Sequence, residues 1–295
     1  MGVDIAAAHP AAAQVFRTMD AALGVSLSEL MFAGAEDELT RTLNAQPALL
    51  AHGAAVWAVV KDRLAPRVVA AAGHSLGEFS AYHAAGALGL AEALKLVRRR
   101  GELMYETGTT RPGTMAAILG DLKTPIEAVC AEASAAGVVV PANYNCPGQV
   151  VISGEVAGVE KAMELAKAAG ARRAIKLNVS GAFHSPLVEP AVPGLQKALA
   201  MSAIGDARFP VYANVNGEPV TKARESAELL LRQLTSPVQW TLVVSKLAAA
   251  YPGALYVEMG PGSVLAGLVR KIAPAVQAMA CGTAAEVEQL LAKVA

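Results

Sequence analysis

The pentapeptide Gly73-His74-Ser75-Leu76-Gly77 has the form G-x-S-x-G. A serine in this pattern stands on a sharp turn between a strand and a helix, with its hydroxyl presented as a nucleophile. The flanking glycines let the backbone turn tightly and approach a substrate. The helix that starts there aims backbone N–H groups at a developing oxyanion. As a bare pattern the pentapeptide often arises by chance. Here the apolar run Arg67 to Gly73 precedes it and a helical stretch follows it, which is the context the turn needs. A serine hydroxyl also needs a base. The histidines are His9, His52, His74, His83 and His184. His9 and His52 lie in alanine-rich helical surroundings and read as structural or exposed. His74 adjoins the nucleophile, but neighbours in a turn point apart, so it packs or binds substrate. His83 lies on the helix behind the turn. His184 stands in the loop Gly181-Ala182-Phe183-His184-Ser185-Pro186, at the close of a small domain. Loops at such junctions often carry catalytic groups, and His184 is the best base.

Arg98, Arg99 and Arg100 look at first like a solvated charge run. Helical periodicity separates them. On a 3.6-residue helix Arg100 shares a face with Ala93, Leu96, Val97 and Met104, while Arg98 and Arg99 flank or oppose that stripe. A guanidinium on an apolar face is costly unless paired. A substrate carboxylate would pair it bidentately, and the alternative is an ion pair with an acid elsewhere in the fold.

These residues need elements to position them. Residues 10–23, 46–63 and 91–105 read as helices, and Gly108 to Gly113 as a boundary. Arg67 to Gly73 with the helix after it is one strand–turn–helix unit of a parallel α/β sheet. Residues 115–178 read differently. Strands at 115–119, 138–144, 149–153 and 174–179 alternate with helices at 124–136 and 155–169, the first capped by Thr124 with Pro125 at its first position. The order βαββαβ is ferredoxin-like. After it, Ala254 to Glu258 is a strand that breaks at Met259-Gly260-Pro261-Gly262, with a helix from near Ser263. The predicted fold class is α/β: a large α/β-hydrolase-like parallel-sheet domain, residues 1–112 and 181–295, with an inserted ferredoxin-like domain, residues 113–180.

Composition narrows the function classes. The 295 residues suit one large domain with a small insertion. Formal net charge is zero, with 25 basic and 25 acidic residues, which does not mark a nucleic-acid or membrane-surface binder. Mean hydropathy is +0.40. The longest apolar run, Pro47 to Val60, holds 14 residues, short of the ~20 of a spanning helix, and reads as a buried core helix. Cys130, Cys146 and Cys281 form no close-spaced metal pattern, and their odd number argues against a disulfide framework. With no secretory signal at Met1-Gly2-Val3-Asp4, a cytoplasmic location is expected.

Taken together, the stretch Gly73-His74-Ser75-Leu76-Gly77-Glu78-Phe79-Ser80-Ala81 resembles the signature of malonyl-CoA:acyl carrier protein transacylases. So do Gln46-Pro47-Ala48-Leu49-Leu50, the stretch Asn143 to Gly154, Gly181-Ala182-Phe183-His184-Ser185, Pro237-Val238-Gln239-Trp240 and Glu258-Met259-Gly260-Pro261-Gly262. The resemblance covers nearly the whole chain, in order. It implies transfer of a malonyl group from malonyl-CoA to the phosphopantetheine thiol of acyl carrier protein, for fatty-acid or polyketide synthesis. It implies Ser75 as nucleophile, His184 as base, Arg100 as clamp on the malonyl carboxylate and the Leu76 N–H as oxyanion donor. It implies further substrate contacts at His74, Met104, Phe183, Asn145 and Gln239, with the Gln239 carbonyl orienting the histidine in place of an acid. Ala182-Phe183-His184 resembles the variant associated with malonyl rather than methylmalonyl groups. The expected partners are acyl carrier protein and malonyl-CoA, without nucleic acid or membrane, and the expected state is a monomer. No cofactor or metal is expected, malonyl-CoA being the substrate. Arg172, Arg173 and Lys176 are candidates for docking an acidic carrier protein.

One departure accompanies the resemblance. Family members begin with a strand running into a Gly-Gln-Gly-Ser-Gln type loop followed by Val-Gly-Met. Met1-Gly2 resembles the end of that segment, so the first strand and the glutamine N–H of the oxyanion site are expected to be absent. Two rivals differ in class. An esterase or thioesterase of the α/β-hydrolase type would share G-x-S-x-G but expects an acid between serine and histidine in sequence order. A non-catalytic scaffold that binds carrier protein would not need Ser75, His184 and Arg100 together.

Overall fold

The computed structural model describes residues 1–294; the last residue of the expected large domain, Ala295, lies outside them. The alanine-rich segments form long helices. Pro10–Leu23 has Pro10 at its first turn, where a missing N–H costs nothing, and Gly24 closes it in the left-handed conformation at φ 67°. The apolar run becomes the helix Thr42–Leu64, which starts at Thr42 rather than Gln46 and so carries Pro47 inside it. Proline lacks the N–H that would reach the Leu43 carbonyl. Arg98 Nη1 donates to that carbonyl instead, at 3.1 Å. The added turns make residues 42–67 long and apolar enough, by length and composition, to cross a membrane, contrary to the shorter run read from sequence. Yet 67% of its most apolar window is buried within the protein, as befits a core helix. It packs against both Pro10–Leu23 and Leu90–Thr110, which also touch each other. The latter helix continues through Gly108 and ends only at Thr110, with Arg111 as its cap.

Strand β1 (Ala71–Ala72) leads into the serine turn. Then come β2 (Thr114–Leu119), helix Ile126–Ala133, β3 (Val139–Cys146), β4 (Gln149–Gly154), helix Val156–Ala168 and β5 (Arg173–Lys176). They form an antiparallel sheet of order β3-β4-β2-β5, with Ala117 opposite Val151 on one side and Ile175 on the other. The βαββαβ order is as expected, with Pro125 rather than Thr124 at the cap of the first helix. This layer has its own core of Ala116, Ile118, Val129, Ile152, Val159 and Ala162.

After it follow β6 (Val211–Tyr212), β7 (Pro219–Val220), β8 (Leu255–Met259) and β9 (Gln277–Cys281). β1 runs parallel to β6, β7 joins β6 antiparallel, and β8 pairs parallel with β9. The parallel sheet therefore stands in two pieces, and among the described residues β1 and β8 each have one ladder partner. A parallel bridge from Asn143 to Val238 ties β3 to the segment after Pro237. It is held by the Tyr144 N–H on the Val238 carbonyl at 2.9 Å and the Val238 N–H on the Ala142 carbonyl at 2.8 Å.

Candidate active site

β1 ends at Ala72 and the helix Gly77–Ala84 begins five residues on, so Gly73 to Leu76 must reverse the chain within one turn. A Cβ on Gly73 would lie 1.9 Å from the Gly77 carbonyl group, so only glycine fits there, whereas Gly77 faces open space. Ser75 takes φ 51°, and His184 takes φ 56°; among the described residues these are the two non-glycine positions with positive φ. Left-handed backbone costs about 1–2 kcal/mol per non-glycine residue, and such strain gathers at functional sites. Asn214, just past β6, holds the turn. Its Oδ1 accepts from the Ser75 N–H at 2.7 Å and its Nδ2 donates to the Gly73 carbonyl at 2.7 Å. The Gly77 and Glu78 N–H groups are taken by the His74 and Ser75 carbonyls, while no described residue accepts from the Leu76 N–H.

Ser75 Oγ lies 2.7 Å from His184 Nε2. On the other ring edge, His184 Nδ1 donates to the carbonyls of Gln233 at 3.0 Å and Ser236 at 3.2 Å. Both are carbonyls, so Nδ1 must carry the proton and Nε2 is left as an acceptor for the serine hydroxyl. These carbonyls sit at the C-terminal end of helix Ala223–Gln233 and just beyond, where backbone acceptors lack helical partners. The expected orienting carbonyl, Gln239, is not the one used. Its segment is drawn toward β3 by the Val238 bridge, and its own N–H donates to the Asn214 carbonyl at 2.9 Å. His184 is 4% exposed. Burial, then the Arg100 charge, push its pKa down to about 3 against the pull of the Gln233 carbonyl, so it is a neutral imidazole at neutral pH.

Arg100 is 1% exposed. Nη1 donates to Gln46 Oε1 at 2.7 Å; Nη2 donates to Gln233 Oε1 at 3.0 Å and to Ser75 Oγ at 3.1 Å. Its guanidinium carbon lies 5.6 Å from the Phe79 ring centroid. Burial lowers its pKa to about 10, with Glu78 pulling the other way, which leaves it charged at neutral pH. Its partners are neutral amides and a hydroxyl, and among the described residues it makes no salt bridge. The three adjacent arginines thus separate as the helical stripe requires. Arg98 bonds Glu102 and the helix around Leu43, Arg99 bonds Glu102 and Glu106 near the surface, and Arg100 points into the site.

The remaining expected residues fall around this centre. His74 Nε2 meets Asn145 Oδ1 at 2.8 Å, and its ring lies 5.6 Å from that of Trp240. Met104 is buried with its Sδ 3.4 Å from Gln46 Nε2. Phe183 is half-buried against the large core. Gln239 lines a cleft of about 530 Å³ with Tyr144, Cys146 and Leu242. Among the other histidines, His52 Nε2 bonds the Gly282 carbonyl and His83 Nδ1 the Leu88 carbonyl, both structural. Among the described residues no cluster of His, Cys, Asp or Glu could hold a metal. Sequence reasoning missed Gln233, Asn214 and Glu78, and did not single out Gln46. Glu78 is fully buried, with its carboxyl pushed up to about 7 by burial, partly offset by its bonds to Gln233 and Asn214. A signal existed only for Gln46 and Glu78, which stand inside the quoted motifs.

A strained serine bonded to a neutral histidine, on an α/β scaffold, belongs to enzymes that move acyl groups. Residues 1–287 match the family described as acyl transferase domain. The chain is 45% identical to the malonyl CoA-acyl carrier protein transacylase of Bacillus subtilis, over 92% of this chain and 86% of that protein. It is 41% identical to the protein of that name from Escherichia coli K12, over 95% and 90%. Among solved structures, an acyl-carrier-protein-S-malonyltransferase from Bartonella henselae superposes with a TM-score of 0.95 at 38% identity, over 100% of this chain and 94% of that one. A malonyl-transacylase in complex with a type II polyketide-synthase acyl-carrier protein superposes with a TM-score of 0.95 at 38% identity, over 99% and 94%. The chain belongs to the malonyl-CoA:acyl carrier protein transacylase family.

Proposed function

We propose that this chain transfers a malonyl group from malonyl-CoA to the phosphopantetheine thiol of acyl carrier protein through a malonyl ester on Ser75, in fatty-acid or polyketide synthesis. The observation that carries this reading is the Ser75 hydroxyl, shared between His184 Nε2 at 2.7 Å and Arg100 Nη2 at 3.1 Å. One side offers a base for its proton, and the other a cation for the far end of the acyl group. His184 takes the Oγ proton as Oγ attacks the thioester carbonyl. The tetrahedral oxyanion is met by the Leu76 N–H. The C–S bond breaks, and the departing CoA sulfur takes the proton from His184. In the second half the pantetheine thiol gives its proton to His184, its sulfur attacks the ester carbonyl, and Oγ leaves with that proton. The Gln233 and Ser236 carbonyls hold the imidazole and stabilise its charged form, as an acid does in other serine enzymes. Arg100, charged and held by two amides and the Ser75 hydroxyl, pairs with the malonyl carboxylate.

The same reading divides the chain into residues 1–112 with 181–295 and an inserted 113–180, the site lying where they meet. His74, Asn145, Met104, Phe183 and Gln239 line the path of the acyl and pantetheine groups. A reducing cytoplasm suits Cys130, Cys146 and Cys281, all buried and free. The test is intact mass after exposure to malonyl-CoA. The protein gains one malonyl group, and Ser75→Ala abolishes the gain; labelling that persists in the variant removes Ser75 from the mechanism.

A further inference from the structure

The proposed reaction leaves one buried acid without a task. Glu78 is fully buried on the helix behind the serine turn. Its Oε2 accepts from Gln233 Nε2 at 2.7 Å and from the Asn214 N–H at 3.1 Å, while Oε1 has no partner. A buried carboxylate oxygen in an active-site wall is costly unless the contacts it makes matter. The shorter of those contacts is with Gln233. The Gln233 amide has two ends with opposite demands. Nε2 donates to Glu78 Oε2 and to the Ser75 carbonyl at 2.9 Å, and Oε1 accepts from Arg100 Nη2 at 3.0 Å. Turning the amide over would set Oε1 against a carboxylate and a carbonyl, and Nε2 against a guanidinium. All three contacts would become repulsive.

We infer that Glu78 is a positioning residue, whose Oε2 locks the Gln233 amide in the orientation that presents an acceptor to Arg100 and so aims the guanidinium at the substrate carboxylate. The inference rests on the reading of Arg100 as the carboxylate clamp. What the lock requires is an acceptor at Oε2, placed to serve both Gln233 and Asn214. A glutamine at position 78 provides that acceptor without the charge. A methionine fills the same volume without it, and the Gln233 amide then loses one of the three contacts that fix its orientation.

The experiment is the ratio of kcat/KM for malonyl-CoA to that for acetyl-CoA, since acetyl lacks the carboxylate. Glu78→Met lowers the ratio by about ten- to a hundredfold, the scale of one charge-assisted hydrogen bond. Glu78→Gln restores it to within about threefold of the wild type. In a Gln233→Met background, Glu78→Met lowers it no further, because the lock has nothing left to hold. A merely structural Glu78 would depress both substrates alike and leave the ratio unchanged in Glu78→Met, which overturns the inference. Should Glu78→Met fail to fold, Glu78→Asp withdraws the oxygen by one methylene and must lower the ratio too; an unchanged ratio there overturns it equally. Arg100→Ala, measured alongside, separates the two levels. If Arg100→Ala collapses the ratio while the Glu78 variants do not, only the lock is wrong. If Arg100→Ala leaves the ratio unchanged, the clamp falls and the lock with it.

Discussion

Acidification tests His184 in two ways. A histidine in water titrates at 6.5, whereas burial and the Arg100 charge push His184 down to about 3. Below 6.5 the unfolded chain binds a proton that the folded chain refuses, so this group erodes stability as pH falls. The slope is about 1.4 kcal/mol per pH unit. Between pH 7.5 and 5 the unfolded histidine passes from largely neutral to largely charged, and the loss comes to about 2 kcal/mol. His52, His74 and His83 are also lowered by burial and act with the same sign. Glu78 acts oppositely. Its pKa is raised from 4.5 to about 7, so its protonation favours the folded state as pH falls through that window. The wild-type pH slope therefore mixes both signs, and the measurement must be a difference. Urea unfolding of wild type and His184→Asn at pH 7.5 and 5.0 isolates the group. The wild type loses about 2 kcal/mol more than the variant between the two pH values. A difference that does not change with pH refutes the argument that His184 is held neutral. The same depression governs rate: the acid limb of kcat/KM for malonylation, which reports the free enzyme, falls well below 6.5. A limb at the ordinary histidine value would mean that His184 is not the base or is not buried as described.

Other outcomes follow from the turn and the surface. Gly73→Ala forces a Cβ to within 1.9 Å of the Gly77 carbonyl group, so it abolishes Ser75 malonylation and lowers Tm by many degrees, whereas Gly77→Ala keeps Tm within a few degrees by thermal melt. Asn214→Ala strands the Ser75 N–H and the Gly73 carbonyl, and costs about 2–6 kcal/mol in urea unfolding at about 1–3 kcal/mol per unsatisfied group; a cost under about 1 kcal/mol would show that water replaces the side chain. Arg172, just before β5, and Arg173, its first residue, are exposed. Transfer to acyl carrier protein therefore weakens with salt more steeply than transfer to free pantetheine, and Arg172→Glu with Arg173→Glu flattens that difference; equal salt dependence in the unaltered protein rules out electrostatic docking there.

Much of this arrangement was legible in the chain, because the legible parts have local signatures. The serine turn is announced by Gly73 and by the strand and helix on either side. Arg100 is separated from Arg98 and Arg99 by helical period alone, and the βαββαβ order follows from alternating apolar runs closed by turns. The illegible parts are amides and carbonyls. Gln46 meets Arg100 across 54 residues, Gln233 meets it across 133, and Asn214 reaches Ser75 across 139. A neutral amide that bonds so far along the chain leaves no spacing or periodicity behind. The backbone acceptor for His184 is harder still, since any residue type can supply a carbonyl. It was expected at Gln239 and lies at Gln233 and Ser236, where a helix runs out of partners for its last carbonyls. The early start of helix Thr42–Leu64 was hidden for a related reason. Proline reads as a beginning, and here a distant arginine satisfies the carbonyl it orphans.

The left-handed backbone at Ser75 and His184 sets this protein's chemistry against its own endurance. Each position spends about 1–2 kcal/mol that glycine would not, and the net stability of a domain is only about 5–15 kcal/mol. A lineage under pressure for heat tolerance alone, with the need for its product relaxed, would gain most cheaply at these two codons, and each gain would erase either the nucleophile or the base. Decay of activity in such a lineage should therefore begin at the reacting residues themselves and leave a more robust fold behind.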